Sequence, residues 1–270
     1  MQQFRAQGET NQIILLALLI IAVLVGTAFW LSRDVPEPSP QVDLVNITPA
    51  APIDRQPPPA LPEPDSAIVS DYELQGELPP LMDSDGPLKA HLRLLAGSLP
   101  VSWLNGDQLL QKVVLQVENA AEGDLIYQHS PVVAPPGGLA VLPADEEGVY
   151  LLDRSSYTRY NLYADFLDQL DSELMTAFYR YYEPLLDQAY VRLGKEPGMF
   201  RERLAMALDQ LLEAPQVEGE IRLVRPLLSY EYEDAGLESL SMVQKQLIRM
   251  GPENTGKIQR SLSVLREYIR

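Results

Sequence analysis

A mostly helical α+β domain, carried on a long spacer behind one membrane-crossing helix, is the fold class this sequence predicts. Three observations predict it. Apolar residues recur at intervals of three and four in seven stretches after residue 81, a few short segments alternate apolar with polar, and one nineteen-residue run near the amino terminus is uncharged.

The uncharged run, Ile13 to Leu31, reads IILLALLIIAVLVGTAFWL. At 1.5 Å rise per residue it reaches roughly 28 Å, enough to cross the hydrocarbon core, and Trp30 suits the headgroup boundary. A cleaved signal peptide is the competing reading, but its apolar region is usually shorter, about 7 to 15 residues, and no convincing Ala-x-Ala site follows. Arg5 and Arg33 flank the run equally, so basic residues alone do not orient it. The free amino terminus and the short tail, residues 1–12, favour a single-pass signal anchor that keeps the tail in the cytoplasm and exports the rest. A cytoplasm-facing regulator is the reading that the tie leaves open.

Residues 32–80 form the expected spacer. They hold twelve of the 23 prolines, and residues 34–80 carry nine acids against one base, Arg55. Such a segment buries too little apolar surface to offset its ordering entropy. It should be extended and self-repelling, reaching roughly 150 Å as a polyproline rod or about 35 to 42 Å as a flexible coil.

Residues 81–270 are expected to fold as one domain. The helical stripes are Leu88, His91, Leu92 and Leu95; Leu110, Val113, Val114 and Val117; Tyr163, Phe166, Leu167 and Leu170; Phe200, Leu204, Ala207, Leu208 and Leu211; Leu240, Val243, Leu247 and Met250; and Ile258, Leu262, Leu265 and Ile269. Gly251 and Pro252 should end one helix and open the next. The longest helix, Ser172 to Leu193, contains Pro184, where a kink is expected. Leu139–Leu142 and Val149–Leu152 flank an acidic turn, and Ile221, Leu223, Tyr230 and Tyr232 alternate with polar neighbours, which predicts one or two small hairpins.

Several strings carry a resemblance: Arg159-Tyr160, the nine residues from Tyr182 to Tyr190, Leu208 to Leu212, and Gln244 to Gly251. They resemble a bacterial family called domain of unknown function 3014, over roughly Leu81 to Arg270. The resemblance implies an anchor and a proline-rich spacer ahead of the folded part, and its bacterial membership implies that the far side of the membrane is periplasm. It implies no reaction, substrate or catalytic residue.

Composition excludes several activities. The net charge is -17, against the clustered Lys and Arg that phosphate neutralisation needs, so no nucleic-acid partner is expected. There is no cysteine, which removes thiol catalysis and disulfides. Residues 251–258, GPENTGKI, match the spacing of a phosphate-binding loop, but Ile258 stands where Ser or Thr must hold magnesium, and the segment follows a helix instead of a strand. It reads as a helix corner, and no nucleotide, metal or other cofactor is expected. His91 and His129 lack a second ligand at metal spacing, and His91 shares an apolar stripe.

Two candidate surfaces are left. Seven of thirteen tyrosines lie between Tyr157 and Tyr190, and Tyr179 and Tyr181 point off the apolar stripe, as recognition residues would. Arg222 and Arg225, Lys245 and Arg249 at i, i+4 spacing, and Arg159 are the basic candidates for an anionic partner, with internal ion pairing as their plainer explanation. Asp165, Asp168 and Asp171 could supply a glycosidase-like carboxylate pair, though a solvated acidic face explains them as well. The sequence therefore favours an interaction module over an enzyme: a protein of the bacterial inner membrane whose periplasmic domain binds an envelope protein or cell-wall component. The alternative is an envelope polysaccharide or peptidoglycan hydrolase.

Overall fold

The computed structural model describes residues 77–96, 104–126, 128–170, 172–227 and 229–270. The expected tail, the membrane helix at residues 13–31 and the spacer as far as residue 76 lie outside the described residues. No described helix is long and apolar enough to cross a membrane.

A short 3-10 turn, Leu81–Asp83, buries Leu81 and leads into α1 (Asp85–Ala96). The elements that follow are α2 (Leu109–Ala121), β1 (Val141–Pro143), β2 (Val149–Leu152), α3 (Ser155–Thr158), α4 (Asn161–Asp168), α5 (Ser172–Arg192) and α6 (Phe200–Leu212). β3 (Arg222–Val224), β4 (Glu231–Tyr232), α7 (Ala235–Glu238), α8 (Met242–Met250) and α9 (Pro252–Tyr268) complete the domain.

The helices pack first, because each carries an apolar stripe that water excludes. Helix α2 lies against α5 and α6, and α9 lies against α4, α5, α6 and α8. Leu110, Val113, Val114 and Val117 on α2, Leu204 and Leu208 on α6, and Ile258, Leu262 and Leu265 on α9 meet in one core. Helix α2 begins where the Asp85 carboxylate, from the first turn of α1, accepts from the backbone N–H of Gln108 at 2.5 Å and of Leu109 at 2.9 Å. That carboxylate satisfies donors every helix start leaves open. Helix α8 starts with a capping box, Ser241 and Gln244 each satisfying the other's backbone.

The two expected hairpins are one sheet. The strand order is β1-β2-β3-β4, all antiparallel, with Tyr150 opposite Leu223 and Leu223 opposite Tyr232. An isolated two-stranded hairpin is marginal in water, and joining β2 to β3 gives both hairpins a shared apolar face. Leu152, Ile221, Leu223 and Tyr232 on that face meet Ile248 of α8 in a second, smaller core. Helix α8 is therefore buried on two sides, with Val243, Leu247 and Met250 turned into the main core.

Helix α5 runs unbroken through Pro184. A proline ring costs an i to i−4 hydrogen bond there, and the packing of Phe178, Tyr182, Leu185, Leu186 and Ala189 on either side holds the helix together.

Candidate functional site

The corner between α8 and α9 shapes a groove among the described residues. Gly251 takes φ +88°, a conformation that disfavours any residue with a Cβ, and Pro252 starts α9 with its φ already fixed. The Thr255 hydroxyl donates back to Leu247 O at 2.7 Å, tying the two helices together. Residues 251–258, whose spacing imitates a phosphate loop, are the cap and first turns of a helix. Lys257 is held by Asp165 at 2.8 Å and Glu253 at 2.6 Å.

Two more segments close on this corner. Tyr157 and Thr158 of α3, with Asn161 at the start of α4, form one side. Residues 216–219, between α6 and β3, form the other. That second wall is positioned by Gln259 on α9, whose side-chain N–H group reaches the carbonyls of Leu211, Leu212 and Ala214 at 2.8 to 3.1 Å. Gln259 thus closes the C-terminal end of α6, and its own oxygen accepts from Gln216 at 2.8 Å. Gly256 faces that amide, and a Cβ added there would meet Gln216 Oε1 in ordinary contact at 3.4 Å.

The result is a groove of about 560 Å³. Its floor is Asn254, which is 2% exposed. Asn254 Nδ2 donates to Met250 O, Tyr157 O and Asn161 Oδ1 at 2.9 to 3.0 Å, while Asn254 Oδ1 is buried with no hydrogen-bond partner. Arg154 and Arg260 and the acids Glu218 and Glu253 line the rest. Arg260 grips Asp168 with both nitrogens of one edge, at 3.0 to 3.2 Å. Burial pushes the Tyr157 hydroxyl above its ordinary pKa, Arg154 opposes this and Glu218 reinforces it, so the phenol enters the groove neutral. The lining is therefore rich in amides, hydroxyls and paired charges, and suits a ligand bound by directional hydrogen bonds.

Among the described residues no group of three His, Cys, Asp or Glu side chains could hold a metal. His91 Nδ1 instead meets the Tyr182 hydroxyl at 2.6 Å, and His129 is exposed in a loop.

Neither Tyr179, Tyr181 nor any of the basic candidates singled out in the sequence lines the groove. Tyr179 is fully buried and donates to Glu183 Oε1 at 3.0 Å, which corrects its assignment to a surface. A second face of α5 is covered because three other helices pack on it. Tyr181 is half-buried, its ring edge against His91 and Tyr182. Arg159 bonds Gly137 O and the Tyr160 hydroxyl and lies 4.7 Å over the Tyr160 ring. Lys245 is paired with Glu238, whereas Arg249 donates to the Tyr230 carbonyl at 3.3 Å and lies beside Tyr232. The catalytic candidates Asp165 and Asp168 are likewise engaged, with Lys257 and Arg260. Tyr157 belonged to the tyrosine-rich stretch, but nothing local in the sequence joins it to Gln216 or Asn254.

Comparison with known proteins adds a family and nothing further. No curated protein matches the chain, and no solved structure does. The family described as Protein of unknown function (DUF3014) matches residues 109–266, which run from the first residue of α2 into the last turn of α9. With more than half its length matched, this chain belongs to that family.

Proposed function

We propose that the chain is a single-pass protein of the bacterial inner membrane whose periplasmic domain binds an envelope protein or cell-wall component in the groove at the α8–α9 corner. The apolar run Ile13–Leu31 and the acidic, proline-rich spacer support the location, because together they anchor one end and give the domain reach. The groove supports the role, and Asn254 is the observation that carries it. A buried amide oxygen without a donor is costly to leave unsatisfied, and a ligand N–H or O–H that displaces the side chains covering Asn254 in the groove lining would satisfy it.

The test places a photo-crosslinking residue at Gln216 in the full-length chain in living cells. An adduct with an envelope protein or wall fragment, absent when the crosslinker replaces exposed Met206, is the expected result. Equal labelling at both positions, or none at either, refutes the groove as the binding site. Fractionation checks the location, which is lost if the full-length chain is recovered in the soluble fraction.

One observation favours the hydrolase reading as the alternative: Glu218 and Glu253 line the same groove from different elements, as an acid and base pair would. Under that reading Glu218→Gln and Glu253→Gln each abolish release of soluble fragments from purified cell wall, and under the binding reading no fragments are released by the unaltered chain.

A further inference from the structure

Several partly exposed basic groups of the described domain are paired with carboxylates, and two arginines at the sheet end have no such partner. Arg203 is held by Glu118 and Glu122, Arg222 by Glu146 and Glu233, and Arg266 by Asp209. Arg225 and Arg249 have no carboxylate within ion-pairing distance among the described residues. The Nε–H of each is buried and makes no hydrogen bond.

Both arginines touch the same tyrosine. Arg225 follows β3 and lies 5.6 Å from the centre of the Tyr230 ring, across the loop that joins β3 to β4. Arg249, on the last turn of α8, donates to the Tyr230 carbonyl at 3.3 Å and lies 5.7 Å from the centre of the Tyr232 ring. The Tyr230 ring is itself braced edge-on by Tyr150 at 5.2 Å. Aromatic faces hold both guanidinium planes, but they leave the Nε–H of each without a hydrogen bond. The acid nearest in effect, Glu238, already accepts from Tyr232 N at 2.8 Å and pairs with Lys245. Two like charges, one over the Tyr230 ring and the other over the Tyr232 ring two residues on, each with an unbonded Nε–H, fit an oxyanion from outside the domain.

We propose that Arg225 and Arg249 form a clamp for a carboxylate of an acidic polypeptide segment. Each side chain is partly exposed, so a modest rotation of the guanidinium turns its Nε edge towards an arriving carboxylate. The neighbouring residue Leu227 is 84% exposed and offers an apolar contact beside the charge. That pairing of an apolar knob with two donors matches a peptide that carries both kinds of side chain, which is why a polypeptide is chosen over a free phosphate or a lipid headgroup. The clamp is separate from the groove, so it stands whether or not the groove binds anything. Because the chain carries an excess of acid, a polyanion is repelled in general and binds only where a specific site overcomes that repulsion.

The test uses the full-length chain in detergent and a fluorescent peptide of alternating glutamate and leucine, with anisotropy as the readout. Parallel arms use inorganic phosphate as a competitor and phosphatidylglycerol vesicles as an alternative ligand. The expected result is saturable peptide binding that Arg225→Gln and Arg249→Gln each weaken by about tenfold, while Arg180→Gln, exposed on α5 and outside both sites, leaves it unchanged. Matching melting curves show that the variants fold. Should one of them unfold, Arg225→Lys and Arg249→Lys keep the charge without the fork, and partial retention of affinity is expected of them. Binding that is indifferent to both arginines overturns the proposal. So does arginine-dependent binding of vesicles without peptide binding, or full displacement of the peptide by inorganic phosphate at equal carboxylate concentration.

Discussion

The ring of Tyr157 occupies the space that a side chain at residue 251 would need: a Cβ built on Gly251 would fall 2.5 Å from Tyr157 Cγ. The α8–α9 corner and one wall of the groove are thus a single contact. Gly251→Ala combines that overlap with a strained positive φ and is expected to destabilise the domain by about 2–4 kcal/mol. Chemical denaturation of the two proteins measures it. Gly137→Ala, also at positive φ but with open space around it, should cost less.

Glu118 joins three elements. It accepts from Tyr190 at 3.0 Å, Lys195 at 2.7 Å and Arg203 at 2.8 Å, so α2, α5 and α6 share one carboxylate. Burial by itself would raise its pKa, but the hydrogen bonds from Lys195, Arg203 and Tyr190 prevail and hold it below 4.5. A carboxylate held lower in the folded chain stabilises the fold above its unfolded value, and that contribution disappears as pH falls from about 4.5 through the folded value. Urea midpoints from pH 7 down to pH 3 should fall, and Glu118→Gln should flatten part of that slope. At pH 7 the same substitution is expected to cost about 2–3 kcal/mol, because it leaves Arg203 and Lys195 facing a neutral amide.

His91 behaves with the opposite charge change. Burial lowers its pKa below 6.5, and its Nδ1 shares a hydrogen bond with the Tyr182 hydroxyl at 2.6 Å. The unfolded chain binds the proton more readily, so the stabilising contribution is present above pH 6.5 and fades as pH falls towards the folded value. An NMR titration should place the His91 midpoint below 6.5. Replacement by Phe should remove this part of the pH dependence while leaving the Tyr182 hydroxyl without its partner.

Tyr179 and Tyr181 are two positions apart on α5 and should respond differently to truncation. Tyr179→Ala empties a fully buried site and is expected to cost about 3–5 kcal/mol, whereas half-buried Tyr181→Ala should cost about 1–2 kcal/mol. Nitration by tetranitromethane should modify Tyr181 well before Tyr179. Peptide mapping of the nitrated chain distinguishes them.

The helices were legible because their signal is local. Leu110, Val113, Val114 and Val117 sit three or four residues apart on one face of α2, and all four are fully buried. The Gly251-Pro252 corner was legible for the same reason, since the stop and start signals adjoin in sequence. The pairing of β2 with β3 was not, because alternation marks a strand without naming its neighbour. Tyr179 misled because one apolar stripe implies one covered face, while α5 is contacted from several directions. The groove was invisible to any local pattern: Tyr157, Gln216 and Asn254 come from three separate stretches of chain, and only the packing of α9 against α4 and α6 brings them together.

Helix α8 works as a party wall. Ile248 braces the strand layer on one side, Leu247 and Met250 brace the bundle on the other, and Arg249 sits between them, two residues before Gly251. This short rod ends at Gly251, so the strand layer, the bundle and the bend that frames the groove all share one element. If both the sheet end and the groove take ligands, any coupling through α8 must act equally in both directions, as thermodynamic reciprocity requires.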